Sequence, residues 1–276
     1  MADRVLAGLQ KGFENQGVKA KLDLHKNLAS LEDLAKVVAD FQAKYQGQVL
    51  LRSNAAEWLS QNPPTIPTFI GGCNHPGALG AIKDLKAPEG KITGVTYFVP
   101  AETQFEIFKA VLPQMKSVLL LVAKGHPGSP IDQKSTQEAC QKMGIAYQDA
   151  VVSNLDEAVA ATKAAAGQVS AIILGVQAML TDKAELIVAA AGDTPVLSYS
   201  EKPVSAGALA GFAANDERLG EMLAESVSQV LLQGKPIKDV PVKFDPKPVF
   251  YLNAKMAEKL GLKVPYEILE NAKVIE

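Results

Sequence analysis

The feature that most limits what this chain can become is a repeated alternation of short apolar runs and helical segments, carried over almost its whole length. The runs Gln48–Ser53, Thr68–Gly72, Val118–Ala123, Ala171–Val176 and Val196–Tyr199 are each bounded by polar residues, Gly or Pro, and most lead into a helical pattern. Alternation of this kind builds parallel α/β sheets, whose ligands bind in the crevice outside the carboxyl ends of the strands. Those ends carry Ser, Asn, His, Gln and Tyr here, with no catalytic constellation beside them. They suit a protein that holds a molecule rather than one that transforms it.

Periodicity and capping chemistry place the remaining elements. Val5, Leu6, Leu9 and Phe13 recur at helical spacing from the amino end, with Gly17 as a stop. Ser30 with Asp33 resembles a capping box at the start of a helix over Ser30–Tyr45, and Asn154 with Glu157 caps one over Leu155–Ala166. Helices are also predicted over Ala101–Leu112, Ile131–Met143, Leu180–Ala191, Asp216–Gln233 and Ala254–Leu260. Further strands are predicted at Val18–Leu24, Lys91–Thr96, Ala146–Val152, Ala206–Ala214, Val240–Phe244 and Pro248–Leu252.

At 276 residues the chain is long for one core, so two lobes are expected. A net charge of −2 gives no electrostatic case for nucleic acid or an anionic membrane. No apolar run approaches the roughly 18 residues that span a bilayer. Cys73 and Cys140 fall in different expected lobes and have no companion His spacing, so neither a disulfide nor a metal site is expected. The motifs of nucleotide, serine-hydrolase and zinc-peptidase sites are missing, and His25, His75 and His126 are dispersed. No cofactor is expected, and no enzymatic activity.

Several runs carry a family resemblance. Gly71-Gly72-Cys73-Asn74-His75-Pro76-Gly77-Ala78-Leu79-Gly80, followed by Gly90-Lys91-Ile92-Thr93-Gly94-Val95, resembles a pattern in a group of ABC-transporter substrate-binding proteins that includes tryptophan- and tyrosine-binding lipoproteins. Ser205–Ala210, Arg218-Leu219-Gly220, Leu232–Pro236 and Leu252–Pro265 are similar to later motifs of that group, in the same order. The resemblance implies a two-lobed α/β architecture of the class I periplasmic-binding-protein kind, with parallel sheets flanked by helices and ligand enclosed between lobes that close about a hinge. It implies chain crossings near Thr96–Pro100, Ser200–Ser205 and Val240–Phe244. The lobes would then comprise residues 1–97 with 205–240, and 98–204 with 241–276.

Two departures from the family pattern stand out. The family's first strand and the loop after it have no counterpart, because Ala2–Phe13 already matches the first helix. That strand normally lies between the runs equivalent to Val18–Leu24 and Gln48–Ser53. A shortened amino end is the economical expectation, and a rearranged or partner-completed sheet the alternative. Gln177 stands where relatives carry an Asp suited to a ligand's ammonium group.

Candidate ligand contacts come from the strand ends. Ser53 and Asn54 either meet a ligand carboxylate or form an N-cap pair. Asn74 and His75 either line the cleft or form a turn with a solvated His. His126 and Ser129 lie in a Gly/Pro loop that faces the cleft if the crossings are as expected, and is otherwise an ordinary turn. Gln177, Ser198 and Tyr199 are ligand contacts or caps and hinge packing. Tyr97 and Phe98 fit hinge packing better than ligand stacking, and Trp58 fits the core. The expected function is that of a solute-binding protein of an ABC-type uptake system. It would be periplasmic or otherwise extracytoplasmic, although the chain opens as a helix without a secretory signal. Its expected partners are a small polar or amphipathic ligand, such as an amino acid, and an ABC permease in the membrane. The alternative is a ligand-sensing module of a signalling system on the same fold.

Overall fold

The computed structural model describes residues 1–275. From the amino end come α1 (Ala2–Asn15), α2 (Leu31–Lys44), β1 (Gln48–Leu51), α3 (Ser53–Gln61), β2 (Thr68–Gly71) and β3 (Ile92–Thr96). There follow α4 (Ala101–Val111), β4 (Ser117–Ala123), α5 (Ser129–Met143), β5 (Ala146–Val152), α6 (Leu155–Ala165) and β6 (Ala171–Leu174). Next are α7 (Ala178–Thr181), α8 (Ala184–Ala191), β7 (Val196–Ser198), α9 (Lys202–Ser205), β8 (Ala210–Ala213) and α10 (Asp216–Leu231). The described run ends with β9 (Lys243–Phe244), β10 (Val249–Asn253), α11 (Ala254–Lys259), α12 (Tyr266–Glu270) and β11 (Ala272–Ile275).

The chain divides into two compact units. One joins Met1–Phe98 to Asn215–Pro246, and the other joins Val99–Ala214 to the chain from Lys247 onward. In the first, a four-stranded sheet runs in the order β1-β2-β3-β9 with every pair parallel. β2 and β3 are buried throughout, as interior strands of a parallel sheet covered on both faces must be. Helices α1 and α10 cross at glycines. A Cβ on Gly8 would overlap the carbonyl oxygen of Glu217, and one on Gly220 would overlap that of Val5. Lys11 bridges Glu217 and Glu221 at 2.9 and 2.8 Å across the same crossing.

The second unit holds a seven-stranded sheet in the order β11-β10-β8-β7-β6-β4-β5. It is parallel except where β10 runs antiparallel to β8. After Ser117, β4 is an unbroken apolar run like β6 and both are almost wholly buried, whereas the edge strand β5 is largely exposed or half-buried up to Val152. Leu119, Leu121, Ile172, Leu174, Leu180 and Ile187 form the centre of a core against α6 and α8. Both expected caps are present. Asp33 N–H donates to Ser30 Oγ at 3.1 Å, and Glu157 N–H donates to Asn154 Oδ1 at 2.9 Å.

Four segments differ from expectation. Val18–Leu24 is not a strand: it lies between α1 and α2 without a ladder. Its alternation supplies a face, but strand pairing needs a neighbouring edge, and β1 pairs only with β2 among the described residues. The segment is instead tied by side chains, with Tyr45 Oη donating to Asp23 at 2.6 Å and His25 edge-on to Phe41. The run Ala206–Ala214, read from sequence as part of the first lobe, contributes β8 to the sheet of the second unit. Ser200–Ser205, expected as a crossing, holds the short helix α9, and the chain changes unit at Ala214–Asn215. A four-residue apolar run buried on both faces fits the interior of either sheet, so its ladder partners decide. Val240–Phe244 likewise ends in β9 of the first unit, and the chain leaves that unit after Pro246.

Candidate ligand-binding site

In the first unit the carboxyl ends of β1, β2 and β3 bring together Ser53, Asn74 and Tyr97. Ser53, the first residue of α3, is buried, and its Oγ accepts the backbone N–H of Asn74 at 3.0 Å while lying 3.4 Å from Tyr97 Oη. Asn74 is buried too, and its Oδ1 accepts the N–H of His75 at 2.8 Å. Thr96 Oγ1 braces the same turn through the carbonyls of Cys73 and Asn74 at 3.0 and 3.2 Å. Immediately before α3, Arg52 has a φ of 82°, a conformation that L side chains rarely adopt. Asn54 is exposed on the first turn of α3.

His75 is half-buried, with ring contacts to Phe98 at 5.0 Å and Phe244 at 6.3 Å. Its Nδ1 accepts the Ala78 N–H at 3.2 Å, so in the neutral ring the proton sits on Nε2. Burial holds its pKa below the ordinary value. Both readings of Asn74 and His75 therefore have a physical basis, since the pair builds the turn and also sits at strand ends.

In the second unit the ends of β4, β6 and β7 converge on the first turns of α5. Ser129 is buried and its Oγ donates to the carbonyl of Ala123, the last residue of β4, at 2.7 Å. His126 Nδ1 accepts the Gly128 N–H at 3.1 Å and shapes the loop leading to it. Gln177 is fully buried behind β6. Its Nε2 donates to Asp132 Oδ2 at 2.7 Å and its Oε1 accepts the Ala123 N–H at 3.3 Å. Ser198 Oγ accepts the N–H of Ser200 at 3.0 Å. Tyr199 lies against Phe108 with nearly parallel rings, and its hydroxyl meets Thr136 Oγ1 at 2.7 Å. Because the single Thr136 hydroxyl proton is donated to the Asp132 carbonyl at 2.6 Å, Tyr199 is the donor to Thr136. Burial raises the Tyr199 phenol well above its ordinary pKa, in keeping with that role.

A family model described as ABC transporter substrate binding protein matches residues 2–275. The chain belongs to the ABC transporter substrate-binding protein family. It is 21% identical over 247 residues to a tyrosine-binding protein of Clostridioides difficile, covering 87% of this chain and 71% of that protein. Its fold is that of an ABC domain from Streptococcus pneumonia solved in complex with L-Trp, with a TM-score of 0.86 at 24% identity over 99% of this chain and 96% of that one. The ligand-free, open structure of a substrate binding protein with adhesive properties from Clostridium difficile gives a TM-score of 0.81 at 20% identity, covering 99% and 94%. This substrate-binding protein thus has the class I periplasmic-binding-protein fold.

Tyr97 enters the strand-end hydrogen bonds of this substrate-binding protein's first unit, and Asp132 and Thr136 enter those of its second, although sequence reading did not single out the latter two as site residues. Their signal was present but faint. Asp132, Thr136, Ala139 and Cys140 are spaced as one buried helix face, and two of those four positions are polar. Burial pushes the Cys73 and Cys140 thiols up to about 12, so both remain protonated at neutral pH. Among the described residues no three His, Cys, Asp or Glu side chains cluster as metal ligands, and no helix is long and apolar enough to cross a membrane.

Proposed function

We propose that this protein is the solute-binding component of an ABC-type uptake system and takes an amino-acid-like ligand. The observation that carries the reading is chemical. In each sheet, parallel strands lead at their carboxyl ends into buried polar side chains, Ser53 and Asn74 in one unit and Ser129, Gln177 and Ser198 in the other. The tyrosine-binding relative and the neighbour complexed with L-Trp support the ligand class. In this reading Ser53, Asn54, Asn74, His75, His126, Ser129, Gln177, Ser198 and Tyr199 form or frame the binding surface. In this reading a membrane permease receives the ligand from the extracytoplasmic side. The ligand leaves unchanged, because the protein works by binding and not by turnover.

Calorimetric titration with L-tyrosine, L-tryptophan, other amino acids, organic acids and nucleobases tests this. One-to-one binding confined to one chemical class is the expected result. Folded protein that binds no member of the panel overturns it.

A further inference from the structure

The first unit leaves two stretches of backbone unbonded, and each is suited to the other. One is the outer edge of β1. Gln48 N–H donates to the Pro67 carbonyl and Arg52 N–H to that of Gly71, both at 3.0 Å, so Gln48, Leu50 and Arg52 turn their backbone groups to β2. Val49 and Leu51 turn theirs the other way, where no strand pairs with β1 among the described residues. Both residues are half-buried, and a backbone donor or acceptor left unbonded there is costly. The edge has none of the usual guards against pairing, since β1 carries neither a charge nor a proline.

The other stretch follows α1. Val18 N–H closes the end of that helix on the Phe13 carbonyl at 2.9 Å, and residues 19–29 then make no backbone hydrogen bond among the described residues. Val18, Ala20, Leu22 and Leu24 alternate with Lys19, Lys21 and Asp23, the pattern of a strand covered on one face. Helix α2 offers a cover that is only partly used. Leu31, Leu34, Ala35, Val38 and Phe41 share one side of it, yet Val38 alone is buried, and Leu31 and Leu24 are each about half exposed. The connection from Leu24 to Gln48 runs through this one fourteen-residue helix, the kind of crossover that joins neighbouring parallel strands. We propose that residues 18–24 are a strap that docks on the outer edge of β1 as a fifth, parallel strand, with its apolar set turned under α2, and that this structure holds the undocked arrangement. The ties that hold the strap here, Tyr45 to Asp23 and Lys26 to Asp3, are exposed side-chain contacts that yield at little cost. Docking pins the strand that runs into Ser53, so the strap also bears on the first unit's candidate site, and it closes an edge otherwise open to other chains.

Amide hydrogen exchange followed by nuclear magnetic resonance tests this on the whole chain. In wild-type protein the Val49 and Leu51 amides are expected to exchange about tenfold or more below their unprotected rates. Nuclear Overhauser contacts should also join the backbone of residues 20–24 to that of Val49 and Leu51. The double variant Ala20→Asp, Leu24→Asp changes two side chains that are exposed here and so leaves the undocked arrangement as it is. Docking would bury both acids, so the variant is expected to bring exchange at Val49 and Leu51 to within about twofold of the unprotected rates. Unprotected exchange at both amides in wild-type protein overturns the inference, as does protection that persists in the folded variant. The wild-type contacts decide the matter if the variant misfolds, and their absence overturns it too. A mixture of isotope-labelled and unlabelled protein identifies the source of the strand, and contacts that arise between molecules show a second copy on the edge and overturn the strap.

Discussion

His75 and Asp245 show how single residues in the first unit tie stability to charge. The His75 ring must accept the Ala78 N–H at Nδ1, and protonation would put a second proton in that contact. With the folded pKa held below the ordinary 6.5 by burial, the unfolded chain binds more protons between the two values, and stability rises with pH across that window. The contribution is complete above the unfolded value and is lost as pH falls through the folded one. Urea midpoints at about pH 7.5 and about pH 5.5 should therefore differ less in His75→Gln than in wild type. Equal differences would show that His75 does not carry the effect. Asp245 is a different case: its side chain is fully buried, takes Arg218 Nη1 at 2.6 Å and accepts the Asn215 N–H at 2.7 Å. Asp245→Ala leaves a guanidinium and a backbone donor short of their anion and should cost about 3 kcal/mol in chemical denaturation. A loss of under about 1 kcal/mol would mark the pair as a surface-like bridge.

Elements form where local signals and neighbours agree. The caps at Ser30 and Asn154 were legible because the bond they make lies within three residues of chain. The strand expected at Val18–Leu24 failed because alternation describes a face and says nothing of a partner edge. The α1–α10 crossing was invisible for the opposite reason. A glycine inside a helix reads as a weak point, and its use emerges only when another backbone lies against it. Gly220 has Val5 and Leu9 backbone atoms where a methyl would go, and neither can move as a side-chain end could. Gly220→Ala should destabilise the protein by more than about 2 kcal/mol despite its better helix propensity, read as a lowered denaturant midpoint. A neutral or stabilised variant would mean that α1 does not pack there.

At the scale of the whole molecule, binding and stability are linked. A ligand that binds only the folded chain at about a hundred times its dissociation constant adds about 2.7 kcal/mol, or roughly 5–10 °C in a protein of this size. Differential scanning calorimetry with the ligand identified by titration should show that shift. Its absence at saturating concentration would mean that the titrated interaction does not favour the native state. Three chain passages, at Phe98–Val99, Ala214–Asn215 and Pro246–Lys247, divide this molecule into its two units. The family resemblance implied a crossing near Thr96–Pro100, and the first passage lies at Phe98–Val99. The sheets that receive β8 and β9 were not legible, because these are short apolar or mixed runs that either sheet could accept by composition.

The sequence by itself determined the α/β class, most of the helices and strands, their caps and the polar character of the strand ends. Each of these follows from spacing and side-chain chemistry within a few residues. Only the tertiary structure decided which sheet receives β8, why Gly8 and Gly220 are glycines, and that the Gln177 amide bonds Asp132 and the Ala123 N–H. Those depend on what stands opposite, brought there from 45 residues away for Gln177 and Asp132 and about 210 for α1 and α10. Pairing across such distances is a property of the packed fold, because the atom that completes each interaction has no signature in the neighbouring sequence.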